Sequence, residues 1–174
     1  MVVAVAICSA LLGAEALAHG IGGKDAAFVA SATGPEPFAF AYLGAKHMVT
    51  GIDHLLFLAG IVFFLHRLSH IALYVTLFSL GHSLTLLAGV LFDIHADSNL
   101  IDALIGLSIV YKALDNLDGF QTLFGFRPNP RLAIPAFGLA HGFGLATKLQ
   151  ALAPPKAALA ANLVAFNVGV EIGQ

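Results

Sequence analysis

The sequence predicts an all-α membrane protein, a polytopic transmembrane helix bundle of about five spans behind an N-terminal signal peptide. Of its 174 residues, 59% are hydrophobic and only 10% are charged, whereas a soluble domain carries about 25% charged residues. Several apolar stretches approach the length of a helix that crosses a bilayer. The chain therefore has too little polar surface for water, and we expect one helical-bundle domain in contact with lipid.

Composition also narrows the possible partners. The formal net charge of -2 lacks the basic excess that binds a phosphate backbone, so we expect no nucleic acid. Cys8 is the only cysteine in the sequence and cannot form an internal disulfide. The eight histidines equal lysine and arginine combined. Because imidazole is the commonest metal-binding side chain, this balance favours a metal ion as partner.

Residues 1–18 predict a signal peptide, since they are apolar and end in small residues at the -3 and -1 positions. The acidic Glu15 keeps an uncleaved first helix as the alternative. Cleavage after Ala18 would make His19 the new N-terminus, with an amine and an imidazole that can both bind metal, or else an incidental histidine. This interpretation places the protein in the bacterial inner (cytoplasmic) membrane, with the mature N-terminus outside.

Residues 19–37 predict an extracytoplasmic linker, because they are rich in Gly, Ala, Ser and Pro and show no apolar period. The bundle then occupies residues 38–174. Its first part reads as an interfacial helix to about Met48 and a membrane helix over residues 52–65, with a break at Thr50-Gly51. Fourteen residues are short for a hydrocarbon core of about 30 Å. Either the two parts form one tilted helix, or the break lies at membrane depth and lines a cavity.

Four further apolar segments complete the predicted spans. They are residues 71–92, 100–114, 132–149 and 157–173. The longest of the polar loops between them covers residues 115–131. Basic residues divide evenly between the two sides, so the predicted orientation depends on the signal peptide.

The stretch from Lys46 to Phe57 holds an acid and two imidazoles at the head of an apolar run. His47 and His54 are seven residues apart, which places them on one face of a straight helix, and Asp53 lies beside His54. Two imidazoles and a carboxylate suit a divalent ion such as Ni, Co, Zn or Cu. The alternative is structural: Asp53 caps the helix that begins near Ile52 and pairs with Lys46 or His54.

Two later histidines lie in the middle of apolar spans. His82 shares a helix face with Ser79 and Ser83, which predicts a stripe facing the bundle interior. His141 lies beside Gly138 and Gly142, whose spacing is typical of close helix packing. A single buried histidine is usually structural, but several in one bundle favour a shared site. We therefore predict that Asp53, His54, His82 and His141 meet in the core as metal ligands.

The last span carries Asn167 and Glu171 on one face. Glu171 could bind metal, relay protons or pair with a histidine, or it could lie at the membrane surface. His47, Glu171, Asn167, Ser83 and His19 are thus secondary candidates for the metal or for a proton relay.

Three motifs carry a resemblance to a known family. Gly-Ile-Asp-His-Leu-Leu-Phe-Leu, Phe-Gly-Leu-Ala-His-Gly-Phe-Gly and Phe-Asn-Val-Gly-Val-Glu-Ile-Gly-Gln, in this order, resemble the HupE/UreJ family of small membrane proteins, in its second branch. The resemblance covers residues 42–174. Members are often encoded with nickel hydrogenase or urease genes and are regarded as nickel or cobalt permeases. They tend to have another helix after the last motif, so a C-terminal helix could be missing.

A more distant likeness is to the nickel/cobalt transporters. Phe78-Ser79-Leu80-Gly81-His82-Ser83 matches one of their strings. Their His-x-x-x-x-Asp-His signature is matched loosely, because five residues rather than four separate His47 from Asp53. The ligand role therefore carries over to Asp53 and His54, whereas this spacing puts it in doubt for His47.

The sequence thus predicts a membrane permease rather than an enzyme, with nickel or cobalt as substrate. One alternative is an intramembrane hydrolase in which bound zinc activates water, with Ser79 or Ser83 beside His82. Another is a structural or assembly subunit of a membrane complex. A homo-oligomer and the maturation machinery of a metalloenzyme are further partners that the resemblance allows.

Overall fold

The computed structural model describes residues 21–63 and 67–174, which form helices and no strands. In order, the described helices are α1 (Gly23–Ser31), α2 (Pro37–Thr50), α3 (Ile52–Val62), α4 (Leu68–Leu91), α5 (Ser98–Asn116), α6 (Gly119–Phe124), α7 (Pro130–Ala151) and α8 (Leu159–Gly173). The predicted all-α class is confirmed for this part of the chain. The predicted signal peptide, residues 1–18, lies outside the described residues, as does His19.

Helix α1 lies within the stretch that the sequence predicts to be a linker without regular structure. It buries Val29, and the ring centroid of Phe28 lies 5.8 Å from that of Phe40 in α2. Because this stretch is rich in glycine and alanine, its few large apolar residues do not form a recognisable helical pattern in the sequence. Contact with a later helix, which a local pattern does not reveal, stabilises the helix here.

The helical structure is interrupted at Gly51, between α2 and α3, as the sequence predicts. The axes of the two helices differ by 67°, and Gly51 is extended at φ -72° and ψ 102°. A Cβ at this position would lie 2.9 Å from Nδ1 of His54 and 3.0 Å from the carbonyl oxygen of His47. The absence of a side chain at Gly51 therefore leaves room for the His54 imidazole beside the break.

Helices α4 and α7 form the most extensive contact of the bundle. Their backbones touch at glycines, because a Cβ on Gly81 would collide with the carbonyl oxygen of Pro135, and one on Gly138 with that of Phe78. The hydroxyl of Thr85 donates a hydrogen bond of 2.7 Å to the carbonyl oxygen of Leu139. This is the close packing that small residues permit inside a membrane.

Helices α2 and α8 form the second close pair. A Cβ on Gly44 would meet the carbonyl oxygen of Phe166, and one on Gly169 would meet that of Ala41. Asn162, at the start of α8, donates a hydrogen bond of 3.0 Å to the carbonyl oxygen of Gly34. Small residues therefore permit close backbone contact in this pair as in the first.

Helix α5 closes the bundle against α3 and α7. The amide of Asn116 donates a hydrogen bond of 2.8 Å to the carbonyl oxygen of Gly60 in α3. The loop predicted over residues 115–131 contains the short helix α6, and Arg127 bonds Asp118 at 2.8 Å across its ends. The fold thus places α3 between both glycine-packed pairs and α5.

The outer surface of the bundle is apolar, and large side chains are more than half exposed on several helices. Examples are Phe38, Phe63, Leu68, Leu80, Leu84, Leu132 and Ile172. Two of the described helices, α4 and α7, are long and apolar enough to cross a membrane, and the bent pair α2–α3 would add a third as one span. These helices point to a membrane protein. The count of about five spans stays a prediction.

Candidate metal centre

Five ionisable side chains from four helices meet in the centre of the bundle. They are His47 of α2, Asp53 and His54 of α3, His82 of α4 and His141 of α7. Every one of them is buried, with relative exposures between 0% and 7%. All four residues predicted as primary ligands are therefore neighbours, and His47 is one as well.

Helix α3 directs Asp53 and His54 inward from its first turn. The N-cap of this helix is Gly51, whereas Asp53 Oδ2 lies 3.3 Å from Nδ1 of His54 and 3.7 Å from Nδ1 of His141. Lys46 forms its ion pair with Asp25 at 2.7 Å. Asp53 thus faces two imidazoles in the core, and its alternative pairing with Lys46 does not occur.

The break at Gly51 explains why His47 joins the cluster. Its ring centroid lies 4.9 Å from that of His54 and 6.2 Å from that of His82. The sequence placed His47 and His54 on one face of a straight helix, and only the spacing of the nickel/cobalt transporter signature put His47 in doubt as a ligand. The helices are instead bent by 67° between these residues, so the number of residues between His47 and Asp53 does not determine whether the two side chains meet.

The potential ligand atoms fall into two sets of three. The outer set is His47, His54 and His82, and the inner set is Asp53, His54 and His141. Within each set, one ligand atom per residue lies within 4.8 Å of the others. Ligand atoms around one zinc-like ion, at bonds of about 2.0–2.2 Å, are separated by at most about 4.4 Å. Each set is therefore close to the dimensions of a metal site.

His82 offers further support for a ligand at this position. Its two ring nitrogens are buried, and neither makes a hydrogen bond to any atom of residues 21–63 and 67–174. A buried polar group without a hydrogen bond is rare and unfavourable. The neutral imidazole of His82 can bind a divalent ion, so its position fits the metal that the donor set suggests.

Ser108 of α5 orients His141. The Ser108 hydroxyl donates a hydrogen bond of 2.6 Å to the carbonyl oxygen of Ile105, and its oxygen lies 3.1 Å from Nε2 of His141. Because the hydroxyl proton is used, the oxygen accepts the Nε2 proton. A neutral His141 in this tautomer has its lone pair on Nδ1, which faces Asp53, and such outer hydrogen bonds commonly fix a metal-binding imidazole.

Aromatic side chains surround the cluster. The ring of Phe78 lies 5.1 Å from that of His141 and 6.0 Å from that of His54. Phe57 lies 5.7 Å from His141, and Phe166 lies 5.9 Å from His47. These apolar neighbours lower the local dielectric, which strengthens the attraction between a cation and the Asp53 carboxylate.

A cavity of about 210 Å³ reaches the cluster beside His47. Its lining includes Asp25, Leu43, Lys46, His47 and Thr50. The Lys46–Asp25 ion pair therefore lies in its wall. The cavity therefore borders the outer set at His47.

The secondary candidates lie outside the two ligand sets. Glu171 is exposed at the end of α8 and accepts a short hydrogen bond from the Ser79 hydroxyl. Asn167 is half-buried, and its amide makes no hydrogen bond to the described residues. Ser83 is half-buried on α4. The structure thus links Glu171 to Ser79, while metal binding or proton relay by these residues stays a prediction.

Sequence reasoning missed Ser108 altogether. It lies in the third predicted span without a neighbouring motif, and its contact with His141 joins residues 33 positions apart. A serine at a fully buried position of an apolar helix was the available signal, but burial itself had to come from the fold.

Comparison with known proteins gives one family. The sequence model described as HupE / UreJ protein matches residues 23–174 of the chain. Comparisons with curated proteins and with solved structures gave no match. The matched range includes every described helix and all five residues of the central cluster.

Proposed function

Because this chain belongs to the HupE/UreJ family, we propose that it is a membrane permease whose substrate is a divalent transition metal ion, Ni²⁺ or Co²⁺. The family is regarded as one of nickel or cobalt permeases. In this proposal the bundle lies in the bacterial inner membrane with about five spans and its mature N-terminus outside. The metal is transported cargo and not a resident cofactor.

The observation that carries the proposal is the pair of buried three-residue ligand sets. Ionisable groups inside a membrane bundle are unfavourable and usually mark an ion pathway or a binding site. Four imidazoles and one carboxylate suit Ni, Co, Cu or Zn better than Mg or Ca. Ligand type alone favours Cu over Ni, so selectivity would depend on geometry and on which metal is available.

The composition of the sets supports reversible binding. Only Asp53 carries a formal negative charge, and the imidazoles bind as neutral ligands. A divalent ion in either set is therefore not fully neutralised, which limits affinity and favours release. The cavity beside His47 supports access from the surface.

The hydrolase alternative has less support from the described contacts. It needs a serine beside His82, yet the Ser79 hydroxyl bonds Glu171 and lies 3.3 Å from the carbonyl oxygens of Val75 and Thr76. No hydrogen bond within residues 21–63 and 67–174 joins His82 to a serine. The permease is the simpler interpretation of a histidine cluster next to a cavity.

Uptake into liposomes tests the proposal. The purified chain is reconstituted around a trapped metal-sensitive dye, and Ni²⁺ or Co²⁺ is added outside. We expect uptake by the wild type and only background uptake by His54→Ala, since His54 belongs to both ligand sets. The matched control is His95→Ala, because His95 is an exposed loop histidine outside the cluster.

Two outcomes contradict the permease. If the wild type shows no uptake but retains one tightly bound zinc per chain, the metal is resident and the hydrolase is favoured. If His54→Ala and His82→Ala bind metal as the wild type does, the cluster is not a metal site and an assembly role is favoured.

A further inference from the structure

His54 is the residue that the two ligand sets share. Asp53 Oδ2 lies 3.3 Å from Nδ1 of His54 and 3.7 Å from Nδ1 of His141. The Nδ1 edge of His54 therefore faces the inner set. The rings of His47 and His82 approach the same imidazole with centroids at 4.9 Å and 5.4 Å.

The two sets do not merge into one site. The condition that ligand atoms lie within 4.8 Å of one another holds for His47, His54 and His82, and separately for Asp53, His54 and His141. Bonds of about 2.0–2.2 Å cannot extend one ion across both sets. The cluster thus offers two adjacent positions for an ion.

Charge limits how these positions are filled. Two divalent ions would bring four positive charges beside the single carboxylate of Asp53 in a low-dielectric interior, where repulsion is strong. An imidazole also has only two ring nitrogens, and binding through both at once requires loss of its remaining proton. One ion at a time is the occupancy that the ligands favour.

The cavity gives the two positions an order. It is lined by His47, so an ion from the surface reaches the outer set first. Asp53 and His141 do not line this cavity, and His141 is completely buried against α5 through Ser108. The carboxylate, which attracts a cation most strongly, is in the inner set.

We propose that one metal ion moves between two positions that share His54, from the outer set of His47, His54 and His82 to the inner set of Asp53, His54 and His141. His54 is a ligand at both positions, and the ion exchanges the other two ligands without leaving the protein. Where the two positions use different ring nitrogens of His54, the imidazole proton moves from Nδ1 to Nε2 as the ion moves inward. This relay rests on the proposed permease function and adds to it a path with two defined steps.

Paired substitutions test the relay through metal binding. Co²⁺ is titrated into the purified chain in lipid nanodiscs, with the Kd and the visible absorption of bound Co²⁺ as readouts. His82→Ala removes the outer position and leaves the inner one, so adding His47→Ala should change the Kd by less than about twofold, as for independent sites. His141→Ala leaves the outer position, so adding Asp53→Asn should likewise have no effect.

Substitutions across the sets should behave differently. His82→Ala/His141→Ala damages both positions, and we expect its Kd to rise at least about tenfold above that of either single variant. Both single variants should bind Co²⁺, which also shows that they fold, yet neither should transport it. Their Co²⁺ spectra should differ, because one site has a carboxylate ligand and the other has only imidazoles.

The opposite pattern overturns the relay. If His47→Ala weakens binding about tenfold or more in the His82→Ala background, and Asp53→Asn does so in the His141→Ala background, all five residues serve a single position. That result would leave the permease itself intact. Failure of the wild type to take up metal would instead refute the permease while leaving the binding pattern measurable.

Discussion

The two glycine-packed helix pairs of the bundle have similar packing but contribute differently to the central cluster of histidines and Asp53. The glycines in contact are Gly81, Gly89, Gly138 and Gly142 in α4–α7, and Gly44, Gly169 and Gly173 in α2–α8. The α4–α7 pair supplies two completely buried histidines, His82 and His141. The α2–α8 pair supplies only His47, which borders a cavity and precedes the helix break.

This difference indicates how one packing motif serves two purposes. In α4–α7, close backbone contact continues directly at the ligands, since Gly142 meets the carbonyl oxygen of His82 itself. In α2–α8, the glycine contacts lie to either side of His47 in α2 and leave its cavity open. The first pair therefore fixes the backbone beside two residues of the cluster, and under the proposed function the second borders the side through which an ion would arrive.

The largest expected effect comes from breaking the first pair with Gly142→Ala. The new Cβ would collide with the carbonyl oxygen of His82 and the hydroxyl of Thr85, and the backbone carbonyl cannot move without shifting α4. We expect the free energy of unfolding to fall by about 3 kcal/mol, toward the upper end for overpacking. Co²⁺ binding should weaken too. Denaturation in mixed micelles and Co²⁺ titration measure the two effects.

Two further glycines control this experiment. Gly106→Ala, on an exposed face of α5 with no atom near its Cβ, should raise stability by about 0.5–1 kcal/mol. Gly169→Ala should destabilise through collision with Ala41, but it should preserve binding at Asp53, His54 and His141. Equal loss of Co²⁺ binding in the Gly142 and Gly169 variants would contradict the distinction between the pairs.

Sequence reasoning captured what depends on composition and local pattern. The all-helical class followed from the scarcity of charge, and the break at Gly51 followed from a glycine between two apolar runs. Asp53, His54, His82 and His141 were singled out because ionisable groups in apolar segments are rare. These are properties that each residue carries with its immediate neighbours.

The remaining features depend on how distant segments meet. Contacts with α2 stabilise helix α1, and the composition of α1 itself does not predict them. The position of the His47 side chain depends on the angle between α2 and α3. The number of residues across the helix break does not determine this angle. The two ligand sets arise only when α2, α3, α4 and α7 pack together, and the contact between Ser108 and His141 needs α5 against α7.

Ser108→Ala sharpens the comparison at the buried pair, because it removes the group that orients His141. Without the acceptor for the Nε2 proton, the ring can adopt the other tautomer, in which Nδ1 carries the proton. Nδ1 then has no lone pair with which to bind an ion beside Asp53. Loss of such an outer partner typically weakens metal binding about 10- to 100-fold. We expect the lower end of this range when Co²⁺ is titrated into His82→Ala/Ser108→Ala and compared with His82→Ala.

Ser108→Ala should have no effect on metal binding at the outer set. In the His141→Ala background only the outer set remains, so Ser108→Ala should leave the Kd for Co²⁺ unchanged. Weakening by the same factor in both backgrounds would mean that Ser108 acts through general stability of the bundle and not through His141.

The smallest expected effect concerns the Lys46–Asp25 pair in the wall of the cavity. Both side chains are partly exposed, at 42% and 28%, so the pair adds little stability, about 0.2–1 kcal/mol. Its charges should instead bias the approach of a cation. Lys46→Gln leaves Asp25 to attract the ion and should raise the association rate about twofold, whereas Asp25→Asn should lower it by a similar factor.

Salt and a distant lysine separate this bias from other causes. Screening shortens the range of exposed charges from about 10 Å at 0.1 M salt to about 3 Å at 1 M, so the two variants should converge at high salt in stopped-flow measurements of Co²⁺ binding. Lys156→Gln, at an exposed lysine outside this cavity, should leave the rate unchanged. Opposite shifts for Lys46 and Asp25 with no change at Lys156 would place the approach of the ion on the α2–α8 side, because a general effect of net charge would change the rate for Lys156→Gln as much as for Lys46→Gln.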